Sequence, residues 1–237
     1  MITSPAHLPT CLPAGVFLEP VQLVFEQIRS GGDRNFGYLL GDREARVGVL
    51  IDPSFSPATF VTRAREQGLT ITHVLNTHGH ADHTNGNTQS VMLTRARLAA
   101  HPEAASKPAV PLTDGQVLTI GDLRLQCFHV PGHCPDHIAL FESRFELLMT
   151  GDLLFVGKVG GTPDETSAEL EWHSLQRLIH AVPDSTTVWP GHDYGVRPSS
   201  TMALERATNP FLRCESLDEF LKMKAAWPVF KKEHGLK

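Results

Sequence analysis

Thr77-His78-Gly79-His80-Ala81-Asp82-His83 decides how this chain is read. It follows an apolar run, His73-Val74-Leu75-Asn76, that reads as a buried strand ending there. Imidazole nitrogens and carboxylate oxygens are the donor set for zinc, or for iron and manganese. His78 and His80 are two positions apart, so in extended chain they point the same way. Asp82 and His83 are adjacent where the chain turns, and face a second point nearby. The spacing therefore supplies ligands in two pairs, which suits two metals a few ångströms apart. A solvated loop often carries one histidine. Four ligand-type residues separated by the small Gly79 and Ala81 are not accounted for that way.

The rest of the composition narrows the class. The chain has 237 residues, 41% of them hydrophobic, enough for a sizeable core. A net charge of −5 and the lack of any Lys/Arg run argue against a nucleic-acid surface. No stretch reaches the ~18 apolar residues of a membrane span. Met1 to Pro13 lacks the basic-then-apolar pattern of a signal peptide. Cys11, Cys127, Cys134 and Cys214 show no tight spacing, so reduced cytoplasmic thiols are expected. Cys134 reads as an incidental small residue beside His133.

Working outward, Val16 to Ser30 alternates and reads as a strand, followed by a turn at Gly31-Gly32-Asp33 and strands at Asn35–Leu40 and Val47–Ile51. Ala58 to Gln67 predicts a helix with Phe60, Val61 and Ala64 on one face and Gly68 as its cap. Thr84 to Ser90 starts as a helix, with Asn85-Gly86-Asn87 beneath the motif. Val91-Met92-Leu93 reads as a strand, and Thr94–Ala105 is ambiguous. Hairpins are expected at 116–130 and 137–150. Ala168–Ala181 predicts an amphipathic helix with Leu170, Leu175 and Leu178 on its apolar side. Thr187–Trp189 is a further strand. Ser200–Ala207 and Leu217–Phe230 read as terminal helices. Each half gives strands, then a helix, then a ligand loop. That pattern fits two packed sheets with helices outside.

The motif resembles the His-x-His-x-Asp-His signature of the metallo-β-lactamase superfamily. Pro131-Gly132-His133, Thr150-Gly151-Asp152 and Pro190-Gly191-His192 follow in the family's order, each at or just past a predicted strand end. The resemblance implies an α+β fold, an αββα sandwich of two mixed sheets with helices on the outer faces. It implies one domain over 1–237, with 199–237 a helical extension packed on it. It also implies two divalent cations, zinc first and iron or manganese otherwise. One would be held by His78, His80 and His133, the other by Asp82, His83 and His192, with Asp152 bridging. Asp82 and Asp152 are the expected catalytic carboxylates. The implied chemistry is attack of metal-activated water on a thioester. A thiolate with pKa ~8.5 leaves without an acid. No Gly-x-Ser-x-Gly elbow offers an alternative nucleophile.

Asp152 stands where the best-known zinc β-lactamases carry cysteine, and His83 where they carry arginine. The chain is more similar to two other branches. Thr208-Asn209-Pro210-Phe211 resembles glyoxalase II (hydroxyacylglutathione hydrolase), and Lys158 is the counterpart expected to bind a thiol carboxylate there. Tyr38 to Glu44 and Val49 to Pro53 resemble the persulfide dioxygenases, which use one iron. The Gly157–Thr162 loop favours the first. The main expectation is a hydrolase of a small-molecule thioester, with Lys158 and Tyr194 binding substrate. A dioxygenase is the alternative, and a metal-stabilised scaffold is the third. Asp136 and Asp193 are candidate partners for the ligand histidines. His73 and His129 read as core or supporting residues, and His137 as structural. His7, His101, His173, His180 and His234 read as surface residues. Phe220, Trp227 and Phe230 offer apolar surface either to the fold or to a homodimer.

Overall fold

The computed structural model describes residues 22–233. One six-stranded sheet has the order β1–β2–β3–β4–β5–β6. Its strands are β1 (Leu23–Gly31), β2 (Asn35–Asp42), β3 (Val47–Ile51), β4 (Thr70–Leu75), β5 (Arg97–Ala100) and β6 (Val110–Pro111). β1 to β3 form an antiparallel meander, and β3 to β6 run parallel. α1 (Pro57–Glu66) connects β3 to β4, and α2 (Ala81–Thr84) and α3 (Asn87–Thr94) connect β4 to β5. The second sheet has the order β14–β13–β10–β9–β8–β7. It is built from β7 (Val117–Ile120), β8 (Leu123–His129), β9 (Ile138–Glu142), β10 (Leu147–Gly151), β13 (Thr187–Pro190) and β14 (Ser200–Thr201). A small ribbon, β11 (Leu154–Phe155) with β12 (Lys158–Val159), leads into α4 (Glu165–Ala181). α5 (Met202–Thr208) and α6 (Leu217–Glu233) complete the described chain.

Strand alternation explains the layering. Tyr38, Leu40, Val49, Ile51 and Leu75 of one sheet pack with Ile120, Leu125, Ile138, Leu140 and Met149 of the other. Their sequence neighbours point outward. Leu39, Leu50 and Val74 meet Phe60, Val61 and Ala64 of α1. Ala139, Phe141 and Leu148 meet Leu175 and Leu178 of α4. Each sheet is therefore covered on both faces, which gives the αββα sandwich with two mixed sheets.

Several expectations are corrected. Val91-Met92-Leu93 lies in α3, not in a strand, and Met92 is 76% exposed. A three-residue apolar run does not distinguish helix from strand. The strand is β5, inside the ambiguous stretch, and Arg95 in the left-handed region (φ 60°) ends the helix before it. Leu170 is 45% exposed, because α4 turns it toward a surface groove while Leu175 and Leu178 face the sheet. His101 is buried and stacks on His129 at 4.1 Å, so it is not a surface residue. His173 and His180 are exposed. The readings of Met1–Pro13, Cys11, His7, His234 and the Val16–Val21 part of the first strand lie outside the described residues.

The aromatic residues of α6 pack inward in order. Phe220 is fully buried against Phe211 and Trp172, and Trp227 lies on Phe211 at 4.9 Å. Phe230 stacks on Trp227 and stays 41% exposed.

The inter-sheet core carries the stability. Leu140→Ala is expected to lower the unfolding free energy by about 2–5 kcal/mol in urea titration, as buried leucine truncations do. Leu170→Ala is expected to stay within about 0.5 kcal/mol. Equal losses at the two positions would contradict this packing.

Candidate metal centre

The seven sequence-predicted ligands come from four loops at one end of the sandwich. His78, His80, Asp82 and His83 follow β4. Parallel pairing of β3 with β4 sets Ile51 beside Leu75, so their two loops start side by side. His133 precedes β9. Asp152 follows β10 and His192 follows β13, which are parallel neighbours with Gly151 beside Pro190. The two sheets are tied together at this end. Ile138 N–H donates to Thr77 O at 2.8 Å, and Phe36 N–H donates to Gly191 O at 2.8 Å.

All seven residues converge. Three groups have ligand atoms within 4.8 Å of one another: His78/His80/His133, His78/His83/Asp152 and Asp82/His83/His192. His80 Nδ1 lies 3.1 Å from His78 Nε2 and 2.9 Å from His133 Nε2. His83 Nε2 and His192 Nε2 are 3.2 Å apart, and His192 Nε2 is 3.4 Å from Asp82 Oδ2. Asp152 stands between the groups, with Oδ2 3.2 Å from His192 Nε2 and 3.7 Å from His133 Nε2, and Oδ1 3.4 Å from His83 Nε2. Ligands at ~2.0–2.1 Å around a tetrahedral zinc are ~3.3 Å apart, so these spacings fit. Asp152 Oδ1 is buried and has no hydrogen-bond partner among the described residues. A buried carboxylate oxygen in that state calls for a cation.

The opposite edges of the rings are fixed by hydrogen bonds that set each tautomer. His133 Nδ1–H donates to Gly161 O at 2.7 Å, and His192 Nδ1–H donates to Asp33 O at 2.9 Å. Asp52 does this for the motif itself. Its Oδ2 accepts His83 Nδ1–H at 3.0 Å and Thr77 Oγ1–H at 2.6 Å, and its Oδ1 accepts Thr77 N–H at 2.9 Å. With its own hydrogen given to Asp52, Thr77 Oγ1 accepts His78 Nδ1–H at 3.0 Å. Asp52 thus aims His83 directly and His78 through Thr77. Asn35 donates to Asp82 Oδ2 at 2.9 Å, and His137 Nε2 accepts Asp152 N–H at 3.0 Å. Gly191 leaves the room these groups need, since a Cβ there would come within 2.3 Å of Asp152 Oδ1.

Sequence reasoning missed Asp52 and Asn35. Asp52 looks like a strand terminator before Pro53. The available signal was its place after a strand that runs beside the motif strand. The expected partners Asp136 and Asp193 do not touch the ligand rings. Asp136 accepts the Cys134 thiol, and Asp193 pairs with Arg29. His137 is fully buried and stacks on His78, so it supports the site without aiming at it. Asn85 and Asn87 do lie beneath the motif, bonded to Phe55 N–H and to Asn76.

A family model described as the metallo-beta-lactamase superfamily matches residues 35–192, from Asn35 to the last ligand. The chain belongs to the metallo-β-lactamase superfamily. It is 35% identical over 178 residues to hydroxyacylglutathione hydrolase of Polaromonas sp., covering 73% of this chain and 67% of that one. It is 32% identical over 191 residues to mitochondrial persulfide dioxygenase ETHE1 of Homo sapiens, covering 79% and 75%. The crystal structure of ETHE1 from Myxococcus xanthus matches with a TM-score of 0.80 and 32% identity, over 86% of this chain and 91% of that one.

The superfamily site is electrostatically uneven without metal. Burial holds His78, His133 and His137 below the usual imidazole range, so their lone pairs are available. Burial also opposes charge on His83 and His192. Asp52 and Asp152 outweigh it at His83, and Asp152 outweighs it at His192, so both are raised. Burial works against the Asp152 carboxylate too, but His192 and His83 hold it well below its usual range. Burial and Asp136 push the Cys134 thiol up, which removes it as a thiolate ligand near neutrality.

Lys158 and Tyr194 lie on the His192 side. The Tyr194 ring stacks on His192 at 4.5 Å, its hydroxyl donates to Asp33 at 2.8 Å, and Lys158 Nζ is 4.4 Å from the ring. Burial, with Lys231 and Arg34 nearby, brings the Lys158 ammonium down to about 8. On the other side, a groove of about 900 Å³ opens beside His80 and His133.

Asp52→Asn removes the acceptor for His83 Nδ1–H and Thr77 Oγ1–H. It is expected to weaken metal binding about 10–100-fold by competition with a chromogenic chelator; unchanged affinity would refute the role. A second outcome concerns pH. The proton-dependent stability from His83 and His192 is fully present below the unfolded value of ~6.5 and is lost as pH rises through their raised native values. The Tm gap between metal-loaded and chelated protein is therefore expected to widen from pH 6 to pH 8.5 in thermal melts. A constant gap would count against these shifts.

Proposed function

We propose that the chain is a metal-dependent hydrolase of the glyoxalase II type, acting on a small-molecule thioester whose thiol carries an anionic group. The observation that carries this reading is the pair of ligand sets facing each other across Asp152, with Asp82 and His83 both positioned in the second. When bound there, divalent cations (zinc, iron or manganese) supply a deprotonated water and polarise an acyl carbonyl.

The chain's own residues do the rest. Asp152 reaches both sets, Oδ2 lying near His133 and His192 and Oδ1 near His83. Asp82 keeps 40% of its side chain exposed on the open side, held through Oδ2 by Asn35, and is the group placed to take a proton from water there. Lys158 draws the anionic end of the substrate toward Tyr194 and His192. Among the described residues no thiolate competes at the site, since the Cys134 thiol is pushed up by burial and bonded to Asp136. The free thiols of Cys127, Cys134 and Cys214 suit a reducing compartment such as the cytoplasm. No helix among the described residues is long and apolar enough to cross a membrane.

A second reading, a mononuclear iron persulfide dioxygenase, is favoured by the likeness to human and Myxococcus xanthus ETHE1. The hydrolase is supported in turn by the relative named hydroxyacylglutathione hydrolase and by Lys158 beside Tyr194.

Protein loaded with zinc, iron or manganese is expected to release thiol from S-lactoylglutathione, and a chelator to abolish the release. Lys158→Ala is expected to raise KM about tenfold with a smaller change in kcat, the loss of one charged contact. In the wild type KM is expected to rise above pH about 8, where the Lys158 ammonium deprotonates. Release by none of the loaded forms, together with oxygen uptake on glutathione persulfide by the iron form, would replace the hydrolase with the dioxygenase.

A further inference from the structure

A buried ion pair lies behind His133, away from the ligand atoms. Glu171 of α4 is fully buried, and its Oε2 is 2.5 Å from Lys224 Nζ of α6, whose side chain is only 12% exposed. Apolar rings pack on one side of it: Phe220 lies beneath the ammonium at 5.8 Å, with Trp172 and Phe211 against Phe220. Buried ion pairs are often matched in stability by apolar residues of the same volume. A reason other than stability is therefore needed, and the remaining contacts of this pair supply one.

Lys224 Nζ also donates to Gly160 O at 2.6 Å. The next residue, Gly161, is the carbonyl that accepts His133 Nδ1–H. Gly160 is pressed against the centre, because a Cβ there would come 2.0 Å from Asp152 O and 3.2 Å from His133 Nδ1. Glu171 touches the other side of the same histidine. Gly132 (φ +146°) seats on it so closely that a Cβ would lie 2.4 Å from Glu171 Cβ. One turn on, Ser174 Oγ donates to Pro131 O at 2.7 Å. The segment before His133 and the segment that accepts its proton thus meet at Glu171 and Lys224.

We propose that Lys224 is a positioning residue for His133: by bonding Gly160 O and Glu171 together it fixes the Gly161 carbonyl and so the direction of His133 Nε2. The C-terminal helix α6 thereby takes part in building the pocket of His78, His80 and His133. The inference rests on that pocket being a metal site.

The test is stepwise cobalt(II) binding followed by visible absorption, with thermal melts of the metal-free proteins alongside. Lys224→Met keeps length and apolar packing but gives up both bonds. It is expected to weaken binding at the His133 pocket about tenfold and to shift its cobalt bands, leaving the Asp82/His83/His192 pocket unchanged. Lys224→Arg donates to both partners and is expected to restore affinity and spectrum. Unchanged affinity and spectrum in Lys224→Met would overturn the proposal. So would a loss shared equally by both pockets, or one as deep in Lys224→Arg. If Lys224→Met does not fold, Glu171→Gln, which weakens the Glu171 end of the tie but keeps an acceptor for Lys224, is expected to give a smaller loss confined to the His133 pocket with a shift of its cobalt bands; unchanged affinity and bands, or a loss shared by both pockets, would overturn the proposal. Failure of the wild type to bind cobalt(II) would remove the metal-centre reading and this inference with it, whereas binding unaffected by Lys224→Met would remove this inference alone.

Discussion

The buried Asp52 carboxylate is the constraint on which the ligand end depends. A carboxylate that is 2% exposed must be surrounded by donors, and three arrive from the motif: Thr77 N–H, Thr77 Oγ1–H and His83 Nδ1–H. They reach it because β3 and β4 are parallel and end together, with Asp52 N–H bonded to Leu75 O. The loop from Thr77 to His83 is wrapped around this acceptor. Asn76 closes it from inside by donating to His83 O. One ligand of each pair, His83 directly and His78 through Thr77, is therefore aimed by bonds within the protein, and part of the ordering cost of metal binding falls on the fold.

Having ligands on both sheets makes the sandwich itself part of the site. Four come from the loop after β4, and three from loops on the second sheet. Small relative movement of the sheets would spoil every spacing between the loop after β4 and the second sheet, yet the backbone bonds of Thr77 with Ile138 and of Phe36 with Gly191 tie them at this edge. Tyr38 adds a side-chain tie from β2 to Pro190 O. The core between the sheets, from Tyr38 to Met149, is consequently a support for catalytic geometry as well as the main source of stability.

Much of this was legible in the sequence because the donor types are chemically distinctive and stand at strand ends. The first four ligand candidates and the inward face of α1 follow from spacing and period. The sandwich follows from the order of elements and the family resemblance, and His133, Asp152 and His192 from the resemblance. On α4 the period places Leu175 and Leu178 correctly but not Leu170. What was not legible depends on proximity between distant segments. Asp52 is one of many aspartates that follow a strand, and only the parallel pairing of β3 with β4 turns it into a hub. Asp136 and Asp193 were better placed in sequence, yet Cys134 and Arg29 occupy them. Val91 to Leu93 failed for a different reason: three apolar residues fit either period, and Arg95 closing α3 in a left-handed conformation carries no pattern of its own.

The two ligand sets differ in what a cation must displace. In the set around His80 and His133, burial already keeps His78 and His133 neutral, so lone pairs wait there. In the set around His83 and His192, protons are retained through Asp52 and Asp152, and a cation entering must expel them. Proton release on metal binding is therefore expected to fall mainly at the second set. The ligand residues alone do not choose between the two activities named among the relatives. The raised values at His83 and His192 come from Asp152 together, at His83, with Asp52, which lies outside the motif.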